Sequence, residues 1–234
     1  MKIRITAAAA ALGLVFTGAA LAQSGENGVL WHGVAHKVVI PALWAPTIAF
    51  LGGFLLLLAI LWGFQRLTPG VANRSFRLGQ LASGTWMAFT HGANDAQKTM
   101  GVIALALYSE GRIDEFYIPT WVKIAAGLAI AGGTYSGGWR IMRTLGQRVY
   151  QMEPAGGFAA QLTAGAVIWG STKYGYSLST THVISGGVMG TGATKRLSAV
   201  RWGVAGNIVT AWILTIPAAA VVAAACYWPI EGVF

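Results

Sequence analysis

Cysteine and acidic residues are scarce in this sequence. The single cysteine, Cys226, excludes an intramolecular disulfide and leaves thiolate metal chemistry without a ligand set. Asp and Glu together number 7 against 16 Lys and Arg, and charged residues make up only 10% of the 234. A soluble globular domain carries roughly 25%. No polar domain separates the apolar runs either. The net charge of +9 therefore has no soluble face on which to gather a nucleic-acid patch, and nucleic acid is not an expected partner. Neither a metal site nor a cofactor is expected.

What is present is apolar sequence rich in glycine. Hydrophobic residues make up 55% of the chain, with 32 glycines. Windows of about 20 apolar residues, the length a bilayer demands, occur at 43–64, 81–107 (interrupted), 121–139 and 202–228. The composition predicts an all-α membrane protein whose surroundings are a lipid bilayer. The basic residues lie in short segments between these windows, as the positive-inside rule describes.

Loop charge sets the topology. Arg66, Arg74 and Arg77 mark 65–77 as a cytoplasmic loop, while Glu110, Asp114 and Glu115 against Arg112 place 109–118 outside. Arg140, Arg143 and Arg148 mark the next loop as inside, and so do Lys195, Arg196 and Arg201 for the one after it. Two consecutive inside loops require an even number of crossings between them. The intervening WGSTKYGYSLSTTHVISGG, 169–187, is poor company for lipid tails. Irregular polar backbone survives at membrane depth only when buried in protein or lining a watery cavity. A re-entrant helical hairpin with a polar tip satisfies both the charge parity and the composition.

Asp95 is the one acid inside an apolar stretch, within HGANDAQKTMGVIALAL, 91–107. An intramembrane charge costs at least about 2.5 to 3.5 kcal/mol on insertion scales, so something must offset it. Lys98, three residues later, lies on the same helical face. The pair reads either as a structural staple between helices or as part of a cation or substrate site, and the second reading is preferred. The window 81–107 is nearly 40 Å long at about 1.5 Å per residue, and Gly92 sits inside it. A helix break there would expose backbone groups beside Asn94 and Asp95, as discontinuous helices do at ion sites. The oxygens suit sodium, and the carboxylate suits a proton. Nothing in these residues selects one of the two.

The second constellation is SLSTTHVISGG, 177–187. Ser179, Thr180 and Thr181 before an apolar run form a helix N-cap, and hydroxyls beside free N–H groups at the positive end of a helix also make an oxyanion site. His182 reads as a packed neighbour rather than a ligand. An intramembrane hydrolase built on Ser179 and His182 lacks an orienting third group. A small anion held by hydroxyls and helix N-termini, with a cation near Asp95, is the arrangement of a coupled carrier, and no enzyme activity is expected.

At these motifs the sequence resembles the inorganic phosphate transporter family of secondary carriers, the cation-coupled phosphate symporters. HGANDAQKTMGVI and SLSTTHVISGGVMGTG carry the likeness, joined by AIAGGTYSGGWRIMRTLGQRV, 129–149, and RWGVAGNIVTAWILTIPAAA, 201–220. The resemblance implies half of an inverted-repeat transporter, mainly the C-terminal half, with a broken helix and a re-entrant hairpin. Residues 29–234 would form the transmembrane phosphate-transporter domain, with the second repeat at about 78–228. It further implies inorganic phosphate as substrate, bound by Ser179, Thr180, Thr181, Asn94 and Thr99. Asp95 and Asn94 would hold a coupling cation, Na+ or H+, with Lys98 as the supporting ion pair. The expected setting is the cell membrane, crossed several times, in a bacterial inner membrane.

No first-repeat motif comparable to 91–107 precedes it in this sequence. Residues 1–28 read either as a signal-like segment, with Ala20, Leu21 and Ala22 before Gln23, or as the remnant of a first-repeat hairpin. The remnant is preferred, because Trp31, Gly33, Val34 and Ala35 echo Trp202, Gly203, Val204 and Ala205. The expected function is phosphate symport by a truncated or split carrier. A second chain supplying the first repeat would complete it, or a homo-oligomer. The alternative is a truncated membrane protein that carries nothing.

Overall fold

The computed structural model describes residue 32 and residues 35–66, 68–176 and 178–231. The signal-like or remnant segment 1–28 and most of the sequence echo at 31–35 lie outside the described residues. A π-helical turn, Ala35–Val39, leads into α1, Ile40–Gly63. Then follow α2, Pro69–Ser109; α3, Thr120–Arg143; a second π-helical turn, Thr144–Val149; α4, Pro154–Lys173; α5, Thr180–Lys195; and α6, Trp202–Glu231. Among the described residues there is no strand, so the chain is all-α as expected.

Helix α1 is built inside out. Ala45, Ala49, Gly53 and Leu57, spaced four apart, are buried, while Leu43, Leu51, Leu55 and Trp62 stand exposed. Small residues inward and large apolar ones outward is the pattern of helices that pack in lipid, where close backbone approach replaces the hydrophobic drive. Among the described residues α1 is the one helix both long and apolar enough to cross a membrane. Helices α2 to α4 are at least as long as a span but carry more polar groups.

Helix α2 corrects two expectations. It begins at Pro69, with Thr68 extended before it (φ −64°, ψ 139°), so Arg74 and Arg77 lie on its first turns rather than in a loop. Proline at the first helical position is preset for helix and loses no hydrogen bond. The helix then runs unbroken for 41 residues, about 60 Å at 1.5 Å per residue. The expected break near Gly92 is absent. Local pairs three and four apart, His91 with Asp95 and Lys98 with Asp95, give the carboxylate its partners while reinforcing the helical turn. The backbone need not open to satisfy them.

A helical hairpin stands where the re-entrant one was expected. Helices α4 and α5 run antiparallel, with 20 and 16 residues, and turn through Gly175, whose φ of +67° suits a residue without a Cβ. Both arms meet the same end of the molecule. Phe158 meets Phe76 in a tilted contact, and Phe76 meets Phe64 edge-on. Arg201 N–H donates to the Val149 carbonyl (2.9 Å), and Gly192 faces Tyr150 and Val200. Arg74, Arg77, Arg148, Lys195 and Arg201 therefore belong to segments that converge at one end, as the loop charges required.

Two parallel helix pairs hold this hairpin. Along α2 and α4, Gly79 meets Phe158, Ser83 Oγ donates to Gln161 Oε1 (2.8 Å), and Asn94 meets Thr172. Along α1 and α5, the Pro46 carbonyl fills the space above Gly186, the Phe50 carbonyl that above Gly190, and Thr194 Oγ1 donates to the Phe54 carbonyl (3.1 Å). The spacing of four on α5 is the small-residue stripe that lets helix backbones touch.

At the base of the hairpin Tyr150 Oη lies 3.0 Å from the buried Thr191 Oγ1. The Thr191 proton already goes to the Val188 carbonyl, so the phenol is the donor. Tyr150→Phe is expected to lower stability by about 1 kcal/mol, the net worth of one such bond. Thermal unfolding in detergent, followed by tryptophan fluorescence, measures this; an unchanged midpoint would place the phenol elsewhere.

Candidate functional site

The polar cluster of α2 faces the tip of the hairpin. Asp95 is the hub. Its Oδ1 accepts from Lys98 Nζ at 2.9 Å, and its Oδ2 accepts from Thr180 Oγ1 at 3.4 Å. His91 Nε2 stands 3.0 Å from the same Oδ2. Lys98 Nζ also donates to the Leu178 carbonyl at 2.6 Å. The lysine thus ties α2 to the residue just before the start of α5.

Asn94, 4% exposed, points its amide at α4. Thr172 Oγ1 gives its proton to the Ile168 carbonyl, so it accepts from Asn94 Nδ2 at 3.0 Å. The Asn94 Oδ1 is left buried with no hydrogen-bond partner among the described residues. A buried acceptor without a partner costs about 1–3 kcal/mol, and such orphans mark strain or an absent ligand. Thr99 lies one turn past Asp95, exposed, with its hydroxyl 3.5 Å from the Asp95 carbonyl. The structure does not bring it to the hairpin tip.

Helix α5 starts as the sequence predicts. Ser179 is extended (φ −80°, ψ 111°), and its Oγ accepts from His182 N–H at 3.4 Å. Thr180 turns toward α2 and is buried. Ser179 and Thr181 turn the other way, into a cavity of about 460 Å³ between α3, α5 and α6. Arg140 and Thr144 line it from the end of α3 and the turn after it, Ser185 from α5, and Trp212 and Thr215 from α6. His182 stacks on Trp212 at 4.0 Å between ring centres, so it is a packed neighbour, as expected. Ser185 Oγ is buried, 1% exposed, without a partner among the described residues.

The start of α5 therefore separates two polar groups. On the α2 side stand Asp95, Lys98, His91, Thr180 and Asn94, a cation-suited set of carboxylate, amide and carbonyl oxygens. On the cavity side stand Ser179, Thr181, Ser185 and Arg140, an anion-suited set of hydroxyls, a guanidinium and the positive end of a helix. Sequence reasoning missed His91, Thr172, Ser185 and Arg140. The signal for His91 was its spacing of four from Asp95, and for Ser185 its spacing of four from Thr181. Arg140 was read only as a loop charge.

The model of the Phosphate transporter family matches residues 65–223. The chain is 45% identical over 212 residues to a "Probable low-affinity inorganic phosphate transporter" of Rhizobium meliloti, covering 90% of this chain and 63% of that one. A relative of the same description from Mycobacterium tuberculosis is 46% identical over 217 residues, covering 90% and 51%. One from Bacillus subtilis is 36% identical over 218 residues, covering 93% and 65%. The chain thus spans between half and two thirds of the length of these relatives. Among solved structures, "The sodium-dependent phosphate transporter" superposes with a TM-score of 0.81 at 20% identity, covering 97% of this chain and 80% of that one. That likeness concerns the fold.

Proposed function

From the premise that the chain belongs to the phosphate transporter family, and is therefore a membrane protein and not an enzyme, we propose that it carries inorganic phosphate across the membrane by cation-coupled symport. The observation that carries this reading is the cavity at the start of α5, which Ser179, Thr181, Ser185 and Arg140 line together. A phosphate needs several donors converging from different directions and a positive field. The hydroxyls and guanidinium supply the first, and the helix end adds to the second.

In this reading Ser179 and Thr181 bind phosphate with Arg140 and Ser185, while Asp95 and Asn94 serve the coupling ion and Lys98 supports Asp95. Thr180 links the two groups, since it joins the phosphate-binding helix start to the Asp95 carboxylate. Asn94 and Thr99, expected as phosphate contacts, take no part in this cavity: Asn94 turns to Thr172 on α4, and Thr99 is exposed one turn past Asp95. The setting is a multi-pass protein of a bacterial inner membrane, and the fold is that of an inverted-repeat carrier. The relatives' descriptions support the substrate, and the sodium-dependent neighbour supports cation coupling.

Arg140→Gln and Thr181→Val each remove a donor from the cavity. Hydrogen bonds to a charged group are worth about 1.5–3 kcal/mol, so each variant should lose about 10- to 100-fold in phosphate uptake. The measurement is radiolabelled phosphate uptake in cells without other phosphate carriers, alongside binding to the purified chain. Wild-type uptake and binding by the double variant would remove the cavity from the mechanism.

A further inference from the structure

We infer that the Lys98 ammonium occupies the cation position at Asp95, so that this site does not take sodium. This rests on the phosphate-carrier reading only for its meaning in coupling, because sodium binding itself is measured without phosphate.

A sodium site at the tip of the hairpin would need a carboxylate oxygen, a backbone carbonyl outside the helical ladder and a hydroxyl or amide oxygen, all turned to one point. Hard cations are held by such oxygen sets. The structure turns two of these to one point: Asp95 Oδ1 and the Leu178 carbonyl both accept from Lys98 Nζ, at 2.9 and 2.6 Å, while Thr180 Oγ1 donates to the other oxygen of the carboxylate. The point where these oxygens converge is filled by an ammonium on a flexible stem, a compact point charge. It satisfies the carboxylate and the carbonyl together, and it bridges two helices that a bound ion would otherwise bridge. A sodium ion entering here would have to displace a tethered cation that pays no translational cost on return.

The arrangement also explains why α2 is unbroken. A site assembled around a free ion commonly draws carbonyls from an unwound helix. Here the cation comes from α2 itself, three residues past Asp95, and the carbonyl comes from Leu178 in the turn before α5. The helix keeps its ladder because its own side chain does the work of the ion.

The test uses the purified full chain in detergent, with radioactive sodium binding and the sodium dependence of thermal unfolding as readouts. The wild type should bind no sodium that Asp95→Asn removes, and its midpoint should be the same in sodium and in choline. Lys98→Gln, which empties the position and adds an amide oxygen, should take up about one sodium per chain, as one oxygen cage holds one hard cation, and should be stabilised by it. Lys98→Arg, which keeps the tethered charge, should remain indifferent to sodium. Sodium binding by the wild type that is lost in Asp95→Asn would overturn the inference, and so would a folded Lys98→Gln that ignores sodium. Should Lys98→Gln fail to fold, the wild-type binding measurement alone decides. Phosphate uptake lost or kept in these variants bears on the carrier reading and leaves the sodium result standing.

Discussion

Replacing Gly190 with leucine is expected to leave the chain unable to form its hairpin packing. A Cβ at this position would collide with the Phe50 carbonyl of α1, and one turn earlier a Cβ at Gly186 would collide with the Pro46 carbonyl. The obstacles are backbone atoms, which cannot rotate away as a side-chain tip would. Neither helix can retreat locally, because Thr194 holds α1 one turn further on through the Phe54 carbonyl. Overpacking of this kind costs about 1–3 kcal/mol for a single added methyl group and more for a branched side chain. Gly190→Ala should therefore lower the unfolding midpoint clearly, and Gly190→Leu should give aggregated or unfolded protein on size exclusion. Gly92→Ala is the control. No atom lies within 4 Å of its added Cβ, and alanine favours helix over glycine by about 1 kcal/mol. A leucine variant at Gly190 that melts with the wild type would show that α1 and α5 do not touch.

Asp95→Asn should abolish phosphate uptake while costing only part of the stability. The substitution keeps the shape of the side chain and an acceptor oxygen but leaves Lys98 without its counter-charge. Breaking a fully buried ion pair costs about 3–5 kcal/mol. Here the Lys98 and Asp95 side chains keep 21% and 34% of their exposure, so solvent screens the orphan and about 1–3 kcal/mol is expected. Removing both charges in Asp95→Asn/Lys98→Met should return the midpoint toward wild type without restoring uptake. That split separates a staple from a site. Uptake at the wild-type rate by Asp95→Asn would reduce the carboxylate to a structural tie.

The start of α5 was legible because its signal is local: Ser179 before Thr180, Thr181 and an apolar run is a cap wherever it occurs. The hairpin was legible for a different reason. Charge parity constrains topology over long distances, so Arg148 and Arg201 could be placed at one end without knowing any contact. The course of α2 was not legible, because a glycine permits a break without imposing one. Whether Gly92 bends the helix depends on what stands around it, and open space does. The same ambiguity hid Gly186 and Gly190, whose role is fixed by carbonyls of a helix about 140 residues away. Arg140 was misjudged because the positive-inside rule accounts for a basic residue's position along the chain and says nothing of what its long side chain reaches.

The hairpin is gripped unequally. On its α1 flank backbone presses on backbone at Gly186 and Gly190, a contact with no slack. On its cavity flank the wall is Arg140, Trp212 and Thr215, side chains across open space. Under load such a clamp yields on one side only. Any widening or narrowing of the cavity would fall to the last turn of α3 and the stretch of α6 around Trp212 and Thr215, where displacement parts side chains rather than packed backbone.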